Sequence, residues 1–133
     1  MTPFALLSRL AGLSHREAAE FLGVRIDTVK SWAAGRNGCR QDVLDELRAL
    51  LAAEARAADE ALTIVGETET EAIEIGYPAS DAEASALGWP CVGAWGAMAA
   101  RVIAGSDRPT RLVPRGSTPA SAAAMAARKP AAS

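Results

Sequence analysis

The side chains best suited to chemistry lie in the first 40 residues, where basic and polar groups follow one another closely. Side chains of this kind bind the edges of nucleic-acid bases and the phosphates beside them. The candidates for base contacts are Arg25, Ile26, Asp27, Thr28, Lys30 and Ser31. The candidates for phosphate contacts are His15, Arg16, Arg36, Asn37 and Arg40. These residue types predict recognition of a polyanion.

The chain offers little for catalysis or metal binding. Its histidine and cysteines, His15, Cys39 and Cys91, make no ligand set for a structural zinc. The sequence also lacks a glycine-rich phosphate loop and a nucleophile motif. We therefore expect neither an enzyme nor a metal, a cofactor or a small-molecule ligand.

Charge is unevenly distributed along the 133 residues, although the net charge is only −2. Residues 1–41 carry six basic and three acidic side chains, residues 42–105 carry three and twelve, and residues 106–133 carry five and one. A basic head on an acidic body favours contact with a polyanion at one end only, because the body repels phosphates. Chance alone could also produce charge blocks of this size.

Half of the residues are apolar, which is enough for one small core. The uncharged stretches are shorter than a bilayer crossing, and the N-terminus lacks the features of a signal peptide. We expect a cytoplasmic protein with no membrane contact.

The head, residues 1–40, is predicted to contain three short helices in a mainly α fold. The first starts at Thr2 and Pro3 and stops at Gly12, and the second opens with a capping box of Ser14 and Glu17. Gly23 ends the second helix, and the third runs from Arg25–Asp27 to Gly35.

Small and apolar residues fall where two helices crossing at a tight turn need them. Gly23 stands at the turn, Ala19 is small where the helices approach, and Val29 and Trp32 face inward. This pattern is typical of a helix-turn-helix, whose second helix presents its leading side chains to the major groove.

Individual roles follow from the chemistry of each side chain. Arg25 or Lys30 suits guanine, Ile26 a thymine methyl and Asp27 a cytosine amine, while Thr28 and Ser31 suit bases or phosphates. Two alternatives stay open: Asp27 could cap the third helix or pair with Lys30, and His15 could be a solvated first-turn residue.

The stretch from Leu13 to Val24, LSHREAAEFLGV, and its continuation to Gly35 and Arg36 resembles the Cro and phage-repressor (XRE-like) class of helix-turn-helix proteins. The likeness covers about a third of the chain. It implies sequence-specific binding to double-stranded DNA. The second half departs from the class, which usually continues with two more short helices.

A long connecting helix is predicted over residues 41–66, because apolar residues recur every three or four positions. The predicted stripe comprises Leu44, Leu47, Leu51, Ala55, Ala58, Leu62 and Val65. It could pack against a second copy or against the chain's own helices.

Residues 67–105 are predicted to form a small dimerisation module with one strand over 71–77 and helices over 80–88 and 90–104. Ile73, Ile75 and Tyr77 alternate onto one face of the strand. With no second strand evident, the strand is expected to pair with its own copy, which predicts a homodimer. Trp89 and Trp95 complete the candidate dimerisation residues.

The strand and the Leu87-Gly88-Trp89 corner also resemble, more weakly, the anti-CRISPR-associated autorepressors with a C-terminal dimerisation module. That likeness implies a dimer that binds an inverted repeat and represses its own operon.

Residues 106–133 are rich in Ala, Ser, Pro and Arg and are expected to be a disordered tail. Residues 112–117, LVPRGS, resemble a thrombin-cleavage linker of recombinant proteins, so this tail is either partly artificial or a natural alanine-rich segment.

The leading hypothesis is therefore a homodimeric transcriptional regulator, a repressor on an inverted-repeat operator. The alternative is an antitoxin-like or adaptor module that uses the same fold to bind a protein.

Overall fold

The computed structural model describes residues 1–115 and confirms a mainly α fold. The helices are α1 (Pro3–Leu10), α2 (His15–Leu22), α3 (Ile26–Ala34), α4 (Gln41–Glu67), α5 (Asp81–Ala86) and α6 (Val92–Gly105). The strands are β1 (Ile73–Tyr77) and β2 (Thr110–Pro114). None of these six helices combines the length and the apolar character needed to cross a bilayer.

The predicted helix boundaries in the head are confirmed, together with their causes. The Thr2 hydroxyl accepts a hydrogen bond from the Ala5 N–H, at 3.1 Å. Both bonds of the capping box form, since the Ser14 N–H donates to Glu17 Oε1 at 2.9 Å and the Glu17 N–H donates to Ser14 Oγ at 3.2 Å. Gly23 ends α2 in the left-handed region, with φ of 68°.

One core joins the head to the rest of the chain. Phe4 meets Trp32 edge to face, with ring centroids 5.4 Å apart, and Val29 is buried beside them. Leu47 of α4 and Ala94 of α6 belong to the same cluster of buried residues. The head is therefore held rigidly on the helices that follow it.

Helix α4 packs against α1 and α6 of its own chain. This is one of the two alternatives that its apolar stripe left open. Its buried residues are Val43, Leu47, Leu50, Glu54 and Ala58. The predicted apolar stripe coincides only in part with these buried residues, because Leu44 and Leu51 are only half-buried. A glutamate occupies the centre of the buried face, where the pattern of apolar residues gave no sign of it.

Strand β1 pairs with β2 of the same chain, so the prediction that it lacks an internal partner is wrong. The two strands run parallel, with Ile73 opposite Thr110 and Tyr77 opposite Pro114. The pairing follows from the helices before them: Leu62 near the end of α4 lies against Gly105 at the end of α6, so both strands start at the same end of the molecule. An unpaired strand therefore no longer argues for a homodimer.

The prediction of disorder is also wrong for residues 106–115, because this segment contains β2 and the turn after it. Its arginines face the acidic segment after α4: Arg111 pairs with Glu74, and Arg108 donates to the Thr68 hydroxyl at 3.1 Å. Backbone pairing and opposite charge thus compensate for the shortage of large apolar side chains. Residues 116–133 lie outside the described part of the chain.

The last two helices are shorter than predicted and are joined by a side-chain bond. The Ser80 hydroxyl caps α5 by accepting from the Glu83 N–H at 3.2 Å. Helix α6 begins at Val92, whose N–H donates to Asp81 Oδ1 at 2.9 Å. Trp95 is only 7% exposed within one chain, and this burial leaves little of its side chain to contact a second copy.

The turn between α1 and α2 touches the first turn of α6 through two glycines. A Cβ atom added at Gly93 would clash with the carbonyl oxygen of Gly12, and one added at Gly12 would clash with that of Gly93. Gly12 also has a φ of +84°, which side chains disfavour. This backbone contact sets how closely the head approaches the C-terminal half.

We predict that Gly93→Ala destabilises the protein by about 2–4 kcal/mol, because the added methyl group forces the two backbones apart. Gly96→Ala is the matched control in the same helix, where an added Cβ meets nothing within 4 Å. Helix propensity should make that control neutral or stabilising by up to about 1 kcal/mol. Urea denaturation followed by circular dichroism measures both, and equal stabilities would contradict the close contact.

Glu54 is 0% exposed, and neither of its carboxylate oxygens has a hydrogen-bond partner within residues 1–115. Burial raises the pKa of this carboxyl to about 8, against the opposing charge of Arg101. At neutral pH the side chain is therefore a neutral acid inside the α4–α6 contact.

Because the folded pKa lies above the ordinary value of 4.5, the folded state holds the Glu54 proton more tightly than the unfolded state between pH 4.5 and about 8. The free energy of unfolding should fall across this window by on the order of 3–5 kcal/mol and then level off. Glu54→Gln should remove the fall, while the exposed Glu60→Gln should keep it. Urea denaturation at several pH values measures the slope, and identical slopes in the two variants would refute the buried acid.

Candidate nucleic-acid interface

Helices α2 and α3 are joined by a three-residue turn, Gly23 to Arg25, and pack against each other. The contact is close because Ala18 and Ala19 of α2 are small and buried. Val29 and Trp32 fill the other side. The two helices therefore pack across a short turn, with Val29 and Trp32 of α3 turned inward.

The outer surface of α3 carries the six predicted base-contact residues. Arg25, Ile26, Asp27 and Lys30 are exposed, and Thr28 and Ser31 are half-buried. Ile26 is 38% exposed. All six lie on one helix and its N-cap, so a single groove of duplex DNA can reach them together. We call these six residues the reading face.

One of the two alternative roles of Asp27 is wrong, and the other is not observed. Arg25 is the N-cap of α3, and no side chain caps that helix. Asp27 is in the first turn, and its carboxylate makes no ion pair with Lys30 within the part of the chain described. The carboxylate therefore remains free to accept a hydrogen bond from outside the protein.

Ser31 is held in place by a residue beyond the helix. The Asn37 side-chain amide donates to Ser31 Oγ at 2.7 Å. The two residues line a depression of about 310 Å³ together with Arg25, Asp27, Thr28 and Trp32. Asn37, predicted as a phosphate contact, thus also orients a side chain of the reading face, and the spacing of six residues gave no indication of this bond.

The first turn of α2 supplies the predicted phosphate contacts His15 and Arg16, both exposed. The partial positive charge at a helix N-terminus favours an anion here. Arg9 of α1 lines the same depression as Ser14 and His15 and was not assigned a role from the sequence. Arg9 thus adds a third basic group beside His15 and Arg16. Its position depends on how α1 packs against the rest of the head, which the sequence did not show.

Beyond α3, the predicted phosphate contacts Arg36 and Arg40 are also exposed. Arg40 forms a surface ion pair with Asp42, its Nε lying 3.2 Å from Oδ1. Such a pair is weak, so it does not prevent Arg40 from contacting a phosphate. Exposed basic side chains therefore occur both on the helix before α3 and in the segment after it.

Two further observations concern metal ligands and thiols. Residues 1–115 contain no group of three or more His, Cys, Asp or Glu side chains that could hold a metal ion. Burial raises the pKa of Cys91, whose thiol lies in the core cluster, so it is a neutral packing residue.

The chain matches none of the known protein-family models and none of the curated proteins with which it was compared. The functional interpretation therefore rests on the residues and their geometry.

Proposed function

We propose that the protein is a sequence-specific binder of double-stranded DNA that regulates transcription in the cytoplasm, as a repressor acting on an inverted repeat. The observation that carries the proposal is the reading face: six side chains able to contact bases lie on α3 and its N-cap, while Val29 and Trp32 of the same helix are anchored in the core.

In this proposal α3 enters the major groove with its N-terminal end leading. Lys30 and Arg25 donate to guanine, Asp27 accepts from a cytosine amine, and Ile26 contacts a thymine methyl. Ser31, oriented by Asn37, supplies a further donor or acceptor. No chemical step is involved, so the protein acts by occupying its site.

Phosphate contacts would hold the helix in register. His15 and Arg16 meet one strand at the start of α2, while Arg36 and Arg40 meet the other strand. The acidic residues 42–105 repel the duplex and keep the rest of the protein away from it.

A single reading face covers only a few base pairs, and specific sites usually need two. We therefore propose a homodimer whose reading faces contact two half-sites related by a two-fold axis. Regulation of its own operon is the simplest use of such a repressor.

Selection from a pool of random duplexes tests the proposal directly. The full chain should enrich a sequence with two inverted half-sites spaced about one helical turn apart. A pool without any enriched sequence would contradict DNA recognition and would favour the adaptor alternative.

On the enriched duplex, Lys30→Ala should weaken binding by about tenfold and lose discrimination at one base pair. Arg36→Ala should weaken all sequences alike and lower the salt dependence by about one phosphate contact. The control is Arg56→Ala, an exposed arginine of α4 outside the head, which should change neither quantity. Fluorescence anisotropy over a range of salt concentrations measures all three, and wild-type binding by both head variants would show that the reading face is wrongly assigned.

A further inference from the structure

The hydrogen bonds of β1 show which of its two edges faces away from β2. The Ile73 N–H donates to the Pro109 carbonyl at 2.9 Å, and the Tyr77 carbonyl accepts from the Arg115 N–H at 3.0 Å. Because alternate residues of a strand bond to opposite sides, Glu74 and Gly76 direct their N–H and C=O groups away from β2. Within residues 1–115 no hydrogen bond reaches those groups.

The outer edge of β2 differs from that of β1, because a proline there interferes with pairing to a further strand. By the same alternation its outward residues are Thr110, Leu112 and Pro114. Pro114 has no N–H to donate, and prolines and charges protect strand edges from further pairing. Strand β1 contains no proline, and its one charge, Glu74, is already paired with Arg111.

The sheet also has an apolar face that the chain leaves half open. Ile73, Ile75 and Tyr77 share this face with Leu112, because paired residues of parallel strands point to the same side. Tyr77 is 36% exposed and Leu112 is 47% exposed. Two-stranded sheets are marginal in water unless another strand or a helix covers them. A third strand at the β1 edge would both complete the sheet and extend this face.

We propose that a second copy of this chain supplies that strand, so that β1 pairs antiparallel with β1 of the other copy around a two-fold axis at Ile75. The result is a four-stranded sheet in the order β2, β1, β1, β2. The inference rests on the proposed function in that it names the partner a two-site DNA binder needs, although the strand geometry is independent of DNA.

The register follows from the hydrogen-bonding pattern. Centred on Ile75, the pairing places Glu74 opposite Gly76 of the second copy, so all four outward residues exchange backbone bonds. Centring on Glu74 would oppose two glutamates, and centring on Gly76 would oppose Glu74 to Pro78, which has no N–H.

The same register matches the side chains. Ile75 meets Ile75 of the second copy, and Ile73 meets Tyr77 of the second copy on both sides of the axis. Aromatic and β-branched residues are favourable cross-strand pairs. The edge is therefore complementary to itself in backbone bonds and side-chain shape.

Two substitutions at one position test the pairing by sedimentation of the full chain. Glu74→Pro removes the outward N–H and the ion pair, whereas Glu74→Thr removes only the ion pair. The wild type and Glu74→Thr should be dimers at micromolar concentration, and Glu74→Pro should raise the dimer dissociation constant roughly a hundredfold, since two backbone bonds are lost. A wild-type monomer, or equal dimerisation by the two variants, would overturn the proposal.

A disulfide tests the register itself. In a Cys39→Ser background, Ile75→Cys places two thiols on the axis with Cα atoms roughly 4.5 Å apart, within the range of a disulfide. It should crosslink under mild oxidation, whereas Ile73→Cys should not, because Ile73 opposes Tyr77. Crosslinking by Ile73→Cys alone, or by neither variant, would overturn the register.

The two proposals fail separately. A protein that enriches a DNA sequence but stays monomeric would overturn the β1 pairing and leave the reading face intact. A dimer crosslinked through Ile75 that enriches no DNA sequence would support the pairing and contradict the proposed function.

Discussion

The arrangement of the head depends on how α3 is anchored. Val29 and Trp32 are buried, and Trp32 packs edge to face on Phe4 of α1. A helix that buries these two residues must turn the opposite side outward, because residues three apart share a face. The exposure of Arg25 and Lys30 is thus a consequence of the core. Substitutions at Val29 or Trp32 would therefore change how the reading face is presented without altering any of its six residues.

The same core joins the head to the C-terminal half of the chain. Leu47 of α4 and Ala94 of α6 contact the cluster that holds α3, and the Gly12–Gly93 contact fixes the turn beside it. Two copies joined at β1 would carry two reading faces, one on each chain.

Much of the head could be predicted from local signals, since Thr2, Ser14 and Gly23 act on the residues next to them. The strand pairing could not, because β2 contains only two apolar residues, Leu112 and Val113, and is stabilised by pairing with β1, which lies far from it in the sequence. The burial of Glu54 was not predicted either. The spacing of apolar residues does not show which polar residue becomes buried when the buried face is rotated slightly from the apolar stripe. At the candidate interface, the exposure of the reading face could be predicted from the helical spacing of Val29 and Trp32. The Asn37–Ser31 hydrogen bond and the position of Arg9 could not, because they depend on the tertiary structure.

The most direct measurement is a titration of ¹⁵N-labelled protein with the enriched duplex, followed by amide chemical shifts. Binding of DNA by the reading face predicts that the largest changes fall on Arg25 to Ser31 and on the first turn of α2, with amides of residues 52–67 on α4 unchanged. Changes concentrated on α4 or the sheet, with α3 unaffected, would contradict it.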